Sequence, residues 1–489
     1  MKPWRFYGRN GQLETLAAIL GRGRWFFAKV SGRRRIGKTT LIQHALQAVG
    51  SKQSVFYVQI PDSEPAGVIS AVNDALETFC VPVDLHPRPT DVAQLVKTFE
   101  AMAEAGYILV LDEFQYFNRR GYEGFCSLLQ GAVDRLAAKA ARVKGGLMVL
   151  GSIYTEMMAL FDDRTAPLYN RVTDDIELTH LDIASVLAIL RDHADASPRR
   201  LLFLWNLFEG VPKFYRDCYE QEVLGADRPA LLQRIFFGSS SPLRTEADNW
   251  FLRELRGRYD VVLKYVARNP GCMHHELVQA IRSVNGSPDT QIGGYLQTLI
   301  DKFRLVVRKL PVFARPEAKK GRYYVTDNFL RSWLAALANP VSAIAFRPVA
   351  QLVQEADQKL EVAEGGALEK LTGQLYEERS RSGIGDFPLT QRIQGFWDKS
   401  GTEIDLVAVN EAQKTIRFGS CKRAPSRLLA DVNDFKGHVE RFLQAKPKYR
   451  AWKIQYAGIA PDLDRGQRKI LRRHDVIAQD LRDLTKNLK

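Results

Sequence analysis

The sequence predicts a multidomain α/β protein whose first part is built on a parallel sheet. Three observations carry this. Trp25–Val30 (WFFAKV) is a short apolar run that leads through Gly32-Arg33-Arg34-Arg35-Ile36-Gly37-Lys38-Thr39 into the helix-like LIQHALQA at 41–48. Residues 107–117 (YILVLDEFQYF) form a second apolar run, ending in paired acids. Between and beyond these, apolar strands alternate with segments of helical spacing, and right-handed crossovers assemble that pattern into a parallel sheet.

The strand expectations in this part are 25–30, 54–60 (SVFYVQI), 107–111 and 147–150, with helices at 66–80 and 91–105. The spacing G-x-x-x-x-G-K-T between a strand and a helix suits phosphate binding. Gly32 and Gly37 let backbone N–H groups turn inward on an anion, Lys38 reaches the β- and γ-phosphates, and Thr39 offers its hydroxyl to magnesium, with Thr40 beside it. Asp112, at the end of its strand, is placed for the magnesium shell and Glu113 for orienting an attacking water. Ser152 ends a neighbouring strand, where it can sense the γ-phosphate or simply cap a helix.

The 489 residues leave room for roughly three domains. No apolar run reaches eighteen residues and MKPWRFYGRN lacks a signal-like apolar centre, so neither a membrane span nor secretion is expected. Five scattered cysteines argue against a disulfide framework or a cysteine zinc site, and point to a reducing cytoplasm. The net charge of +14 favours a polyanion partner, nucleic acid before a membrane surface. The excess is local: residues 302–322 hold eight Lys or Arg against one acid, Glu317, and the tail from Arg417 onward is also basic.

Six short segments in order, FYGR (6–9), GRRRIGKTTLI (32–42), LVLDEFQY (109–116), LGS (150–152), PLYNR (167–171) and GVPKFY (210–215), resemble the archaeal-type P-loop ATPases of the STAND group, relatives of AAA+ proteins. The resemblance covers about the first half of the chain. It implies ATP and Mg as ligands, Arg9 near the adenine, Arg171 approaching the phosphates as a finger or sensor, and Gly210-x-Pro212 closing a helical lid. Asn10-Gly11-Gln12-Leu13 departs from the family, which carries an acid before that leucine.

The expected domains are a P-loop ATPase at 1–175, a helical lid at 176–245, a winged helix at 246–338, a linker at 339–355 and a C-terminal domain at 356–489. In the middle, 259–268 and 273–282 read as helices. Ser287-Pro288 is a helix-start signal for DTQIGGYLQTLIDKF (289–303), and LVVRKL (305–310) with RYYV (322–325) make a two-stranded wing. The third helix offers little beyond Gln291, Tyr295 and Gln297 for reading bases, whereas the basic wing, with Lys319, Lys320 and Arg322, suits phosphates. TDNFLRSWL (326–334) matches a segment of the same family when it carries an extra C-terminal domain.

In that domain a helix at 365–380 carries Glu369, strands are expected at 395–399, 402–409 and 415–422, then a helix at 428–445 and a strand at 449–460. Period two places Glu403 with Asp405, and Ser420 with Lys422. The pattern resembles the PD-(D/E)XK nuclease fold, in which a helix Glu, a strand Asp and a Glu-x-Lys pair gather magnesium. Glu369, Asp405 and Lys422 match it; Ser420 stands where the carboxylate belongs, and a hydroxyl is a poor substitute for a hard dication.

The expected function is therefore a cytoplasmic ATP-hydrolysing regulatory switch associated with nucleic acid, DNA favoured, with an inactive nuclease-like module and scope for a protein partner or self-association. Two alternatives stay open: an active ATP-gated nuclease, and an ATP-regulated protein scaffold.

Overall fold

The computed structural model describes residues 2–49, 54–85, 88–122, 124–152, 154–248, 255, 259–285 and 289–488. They form two compact units, Arg9–His180 and Met1–Gly8 with Leu181–Lys489. The helix-start signal Ser287-Pro288 lies outside the described residues.

The first unit holds a parallel sheet of β1 (Phe26–Gly32), β2 (Val55–Gln59), β3 (Ile108–Asp112), β4 (Gly146–Gly151) and β5 (Asp174–Leu178), in the order β2-β3-β4-β1-β5. Strands β3 and β4 are buried along their whole length, as parallel strands covered by helices on both faces must be. The helices Pro65–Thr78, Val92–Glu104 and Phe125–Ala138 supply Val72, Phe99, Leu129 and Val133 to a core around Phe56, Leu109 and Leu147. Asp91 caps the second of these, accepting from the Gln94 N–H at 2.8 Å.

A main core, with smaller clusters on the mixed sheet, holds the second unit. It joins the helices Ile183–His193 and Pro198–Phe208 to the helix Tyr259–Arg268 and to a long helix, Val349–Arg381. The helices Tyr259–Arg268, His274–Asn285 and Asp289–Asp301 are accompanied by a small antiparallel sheet ordered β6 (Cys272–Met273), β8 (Arg322–Val325), β7 (Val306–Lys309). A five-stranded mixed sheet follows, ordered β13 (Val476–Asp480), β12 (Lys453–Ala460), β11 (Thr415–Cys421), β10 (Glu403–Asn410), β9 (Gln394–Trp397). Its β9–β10–β11 half is antiparallel and its β11–β12–β13 half parallel.

The expected linker at 339–355 is corrected here. From Val349 it is already the long helix, which runs on through Gly365-Gly366 to Arg381. Two interior glycines cost about 1 kcal/mol each relative to Ala. Burial of Leu352, Val353, Ala356, Leu360, Ala367, Leu368 and Leu371 along one face offsets that cost. The expected 428–445 helix is instead two, Pro425–Ala430 and Val432–Ala445.

Candidate functional site

In the first unit the loop after β1 bends where its glycines allow it. Gly37 has φ 93°, and a Cβ on Gly32 (φ 150°) would sit 2.6 Å from the Leu178 carbonyl oxygen. Lys38 opens the helix Lys38–Val49 and is buried, its Nζ donating to the carbonyls of Gly32 (2.9 Å) and Arg33 (3.2 Å). Burial lowers its pKa to about 8, partly opposed by Glu113 and Asp112. A lysine curled on loop carbonyls, with no carboxylate bonded to it among the described residues, has donors to give a phosphate.

Strand β4 lies between β1 and β3, so three strand ends converge. Thr39 Oγ1 donates to Asp112 Oδ2 at 2.6 Å, and Tyr57 Oη donates to the same oxygen at 3.0 Å. The Glu113 N–H donates to Asp112 Oδ1 at 2.8 Å. Glu113 itself has φ 56°, a left-handed conformation that a non-glycine residue adopts at a cost and that is enriched at functional sites. Its Oε2 accepts from Ser152 Oγ at 2.9 Å and from Gln115 Nε2, and the Ser152 N–H donates to Gln115 Oε1 at 3.2 Å. Gln115 is fully buried and was not singled out in the sequence, although its position two residues after Glu113 was the available signal.

Arg9 belongs to this unit, donating to the carbonyls of Thr179 (2.6 Å) and Ile36 (3.3 Å). Arg171 is engaged by Asp134, to which Nε donates at 3.0 Å and Nη2 at 3.2 Å. Thr40 follows Thr39 in the first turn of the helix, whereas Pro212 lies in the other unit as the first residue of the helix Pro212–Glu220.

In the second unit the long helix and the mixed sheet bring Glu369, Asp405 and Lys422 together. Lys422 Nζ donates to Asp405 Oδ2 at 3.3 Å and the Cys421 N–H donates to the same oxygen at 2.7 Å. Burial raises the carboxyls of both Glu369 and Asp405. Glu369, with Asp405 beside it, is pushed up to about 8.

Ser420 does not share this face, contrary to the period-two expectation that pairs it with Lys422. Ser420 registers with Gly458, where a Cβ would meet Val476, Leu471 and Leu428 on the opposite layer. Cys421 registers with Ile459 and packs with the long helix in the main core. Strand alternation therefore turns Cys421 toward Glu369 and Ser420 away.

The β7–β8 hairpin, expected as a wing, is also tied down. Arg322 Nη1 donates to Glu403 Oε1 at 2.6 Å, and its guanidinium lies 4.7 Å from the Trp397 ring centroid. Trp397 Nε1 donates to the Lys320 carbonyl at 2.8 Å, and the Val312 N–H to the Gly395 carbonyl at 2.9 Å. Lys309 is drawn over the Tyr324 ring at 4.8 Å, and Arg308 donates to the carbonyls of Pro316 (3.2 Å) and Ala318.

Residues 333–429 match the DUF234 family, described as archaea bacterial proteins of unknown function. An uncharacterised protein of Methanocaldococcus jannaschii is 24% identical over 432 residues, covering 85% of this chain and 87% of that one. Among solved structures, a Walker-type ATPase of Pyrococcus abyssi superposes with a TM-score of 0.50 at 17% identity, over 67% of this chain and 96% of its own. The ORC2 protein of Aeropyrum pernix gives 0.46 at 14% identity, over 74% and 96%. The first unit has the fold of a P-loop ATPase. The mixed sheet at the C-terminal end is a separate α/β element of the multidomain chain. Among the described residues, no helix is long and apolar enough to cross a membrane.

Proposed function

We propose that this protein is an ATP-binding and ATP-hydrolysing regulatory switch that associates with nucleic acid and carries a nuclease-like C-terminal domain that does not cleave. The observation that carries the first part is the convergence of Lys38, Thr39, Asp112, Glu113 and Ser152 on three adjacent strand ends.

ATP with magnesium supplies a phosphoanhydride and a cation that spreads its charge. Lys38 exchanges its bonds to the Gly32 and Arg33 carbonyls for phosphate oxygens. Thr39 and Asp112, already in contact, would hold the magnesium ion. Glu113 orients and polarises the attacking water once it leaves Gln115 and Ser152, and Ser152 is then free to sense the γ-phosphate. Arg9 serves the adenine side and Pro212 a lid. Arg171 acts on the phosphates only after leaving Asp134, so it is a sensor of a second state rather than a preset finger.

For the remainder, the helices at 259–301 with β7 and β8 constitute a winged helix, and Glu369, Asp405 and Lys422 are the remnant of a PD-(D/E)XK site. Two features support loss of cleavage: Lys422 is spent on Asp405, and no carboxylate follows Asp405 on the β11 side of the cluster, where Cys421 stands. ATP hydrolysis by purified protein, compared with Lys38→Ala and Glu113→Gln, tests the switch. Equal turnover in wild type and Glu113→Gln would sink it. Metal-dependent cutting of DNA that vanishes in Asp405→Ala would overturn the inactive-domain assignment.

A further inference from the structure

The nucleic-acid association proposed above needs cations that are exposed and uncommitted, and three of the eight in the basic segment 302–322 are already engaged. Arg308, Lys309 and Arg322 are engaged by loop carbonyls, by Tyr324 and by Glu403. A different element carries such a set. The helix Arg465–Arg473 (RGQRKILRR) holds five basic residues and no acid, and is pinned to the sheet by the buried Leu471.

At 100° per residue, Arg465, Lys469, Arg472 and Arg473 fall on one arc of the helix, opposite Leu471. All four are exposed. Among the described residues none of them makes a side-chain ion pair or hydrogen bond. The neighbouring acids are already used. Asp464 caps the helix through the Gln467 N–H at 2.8 Å, and Asp480 and Asp483 accept from Arg468, the one basic residue turned inward. The helix Pro425–Ala430 packs alongside through Leu428 and adds the exposed Arg427. Asp464, the cap itself, and Asp475, just past the helix end, are the exposed acids that flank the helix in sequence.

We infer that the outer face of the helix Arg465–Arg473 is the surface on which this protein holds the phosphodiester backbone of nucleic acid, without reading sequence. The inference rests on the nucleic-acid reading above but moves the contact from the wing to the back of the mixed sheet. Arg465 to Arg473 spans about 12 Å of helix axis, matching three or four phosphates of one strand at about 3.4 Å of duplex axis each. A lipid surface fits less well. An interfacial helix needs a wide apolar face for the acyl boundary, and here Leu471 is spent on the core and Ile470, at 40% exposure, stands alone.

The test uses the full chain and fluorescence anisotropy of a labelled mixed-sequence 30-base-pair duplex across a salt series, with and without ATP and magnesium. Anionic phosphatidylserine vesicles form a parallel arm. Two variants are compared with wild type: R465Q/K469Q/R472Q/R473Q on the helix and R315Q/K319Q/K320Q on the wing. All exchanged side chains are at least partly exposed, so matching thermal melts confirm folding. The helix variant should lose about ten-fold or more in affinity, with the log–log salt slope shallower by about 3, while the wing variant stays near wild type. A helix variant that binds like wild type overturns the inference while leaving the nucleic-acid reading intact, and so does affinity lost only in the wing variant. Wild type that binds no duplex at low salt removes both. Vesicle binding in place of duplex binding reassigns the surface to lipid.

Discussion

Ser152 Oγ donates a 2.9 Å hydrogen bond to Glu113 Oε2, joining the ends of β4 and β3. With Gln115 on the same carboxylate oxygen, the proposed water-orienting group is held by two neutral donors before nucleotide arrives.

If Glu113 orients water, Glu113→Gln should keep nucleotide affinity and lose turnover by about 100-fold or more, as removal of a group acting only in the transition state does. Ser152→Ala should fall less, about ten-fold. Steady-state hydrolysis together with binding of a fluorescent ATP analogue separates the two effects.

Lys38 is buried with its pKa lowered to about 8. Its folded-state pKa lies below its unfolded value, so between about pH 8 and 10 the unfolded chain binds more protons and stability gains with rising pH from this group. Lys38→Met should therefore leave the apo melting temperature at pH 7 unchanged or higher, and abolish the upward shift that ATP with magnesium gives wild type. A full nucleotide-induced shift in the variant would exclude Lys38 from phosphate binding.

Glu369 has the opposite sign. Its folded pKa, about 8, lies above the ordinary carboxylate value of 4.5, so its contribution is complete below pH 4.5 and is lost as pH rises through 8. Glu369→Gln, which keeps the neutral shape, should be more stable than wild type at pH 9 and show little difference at pH 4. Urea melts at the two pH values check this.

Arg322 and Glu403 tie the β7–β8 hairpin to the C-terminal sheet, but Glu403 is 55% exposed, so the ion pair alone should contribute no more than about 1 kcal/mol. Arg322→Ala should cost more than Glu403→Gln because it also removes the stack on Trp397. A double-mutant cycle by chemical denaturation reads the coupling.

Ser420→Glu should destabilise by a few kcal/mol rather than complete a metal site. It would place a carboxylate on the buried face where Gly458, the register partner of Ser420, meets Leu428, Leu471 and Val476. A stable Ser420→Glu that gains magnesium affinity in calorimetry would show that the side chain reaches Asp405 after all.

The sequence by itself determined the phosphate loop, the acid-ended strand and the α/β class, because those features are local. Two glycines, a lysine and a threonine at fixed spacing make the loop, and a run of apolar residues ending in Asp112-Glu113 makes the strand. It also determined most strands of the C-terminal sheet, through their apolar runs. What only the tertiary structure decided depends on partners far apart in the chain. Gln115 joins Ser152 and Glu113 because β4 inserts beside β3. Gly365-Gly366 reads locally as a break, yet the helix passes through it because one face is buried against distant helices. Cys421 rather than Ser420 faces Glu369 because the pairing of β11 with β12 fixes which side each residue presents, and period two gives alternation without giving its phase. The basic wing reads as a free surface in sequence, but Glu403 and Trp397, some eighty residues away in the chain, hold it in the fold.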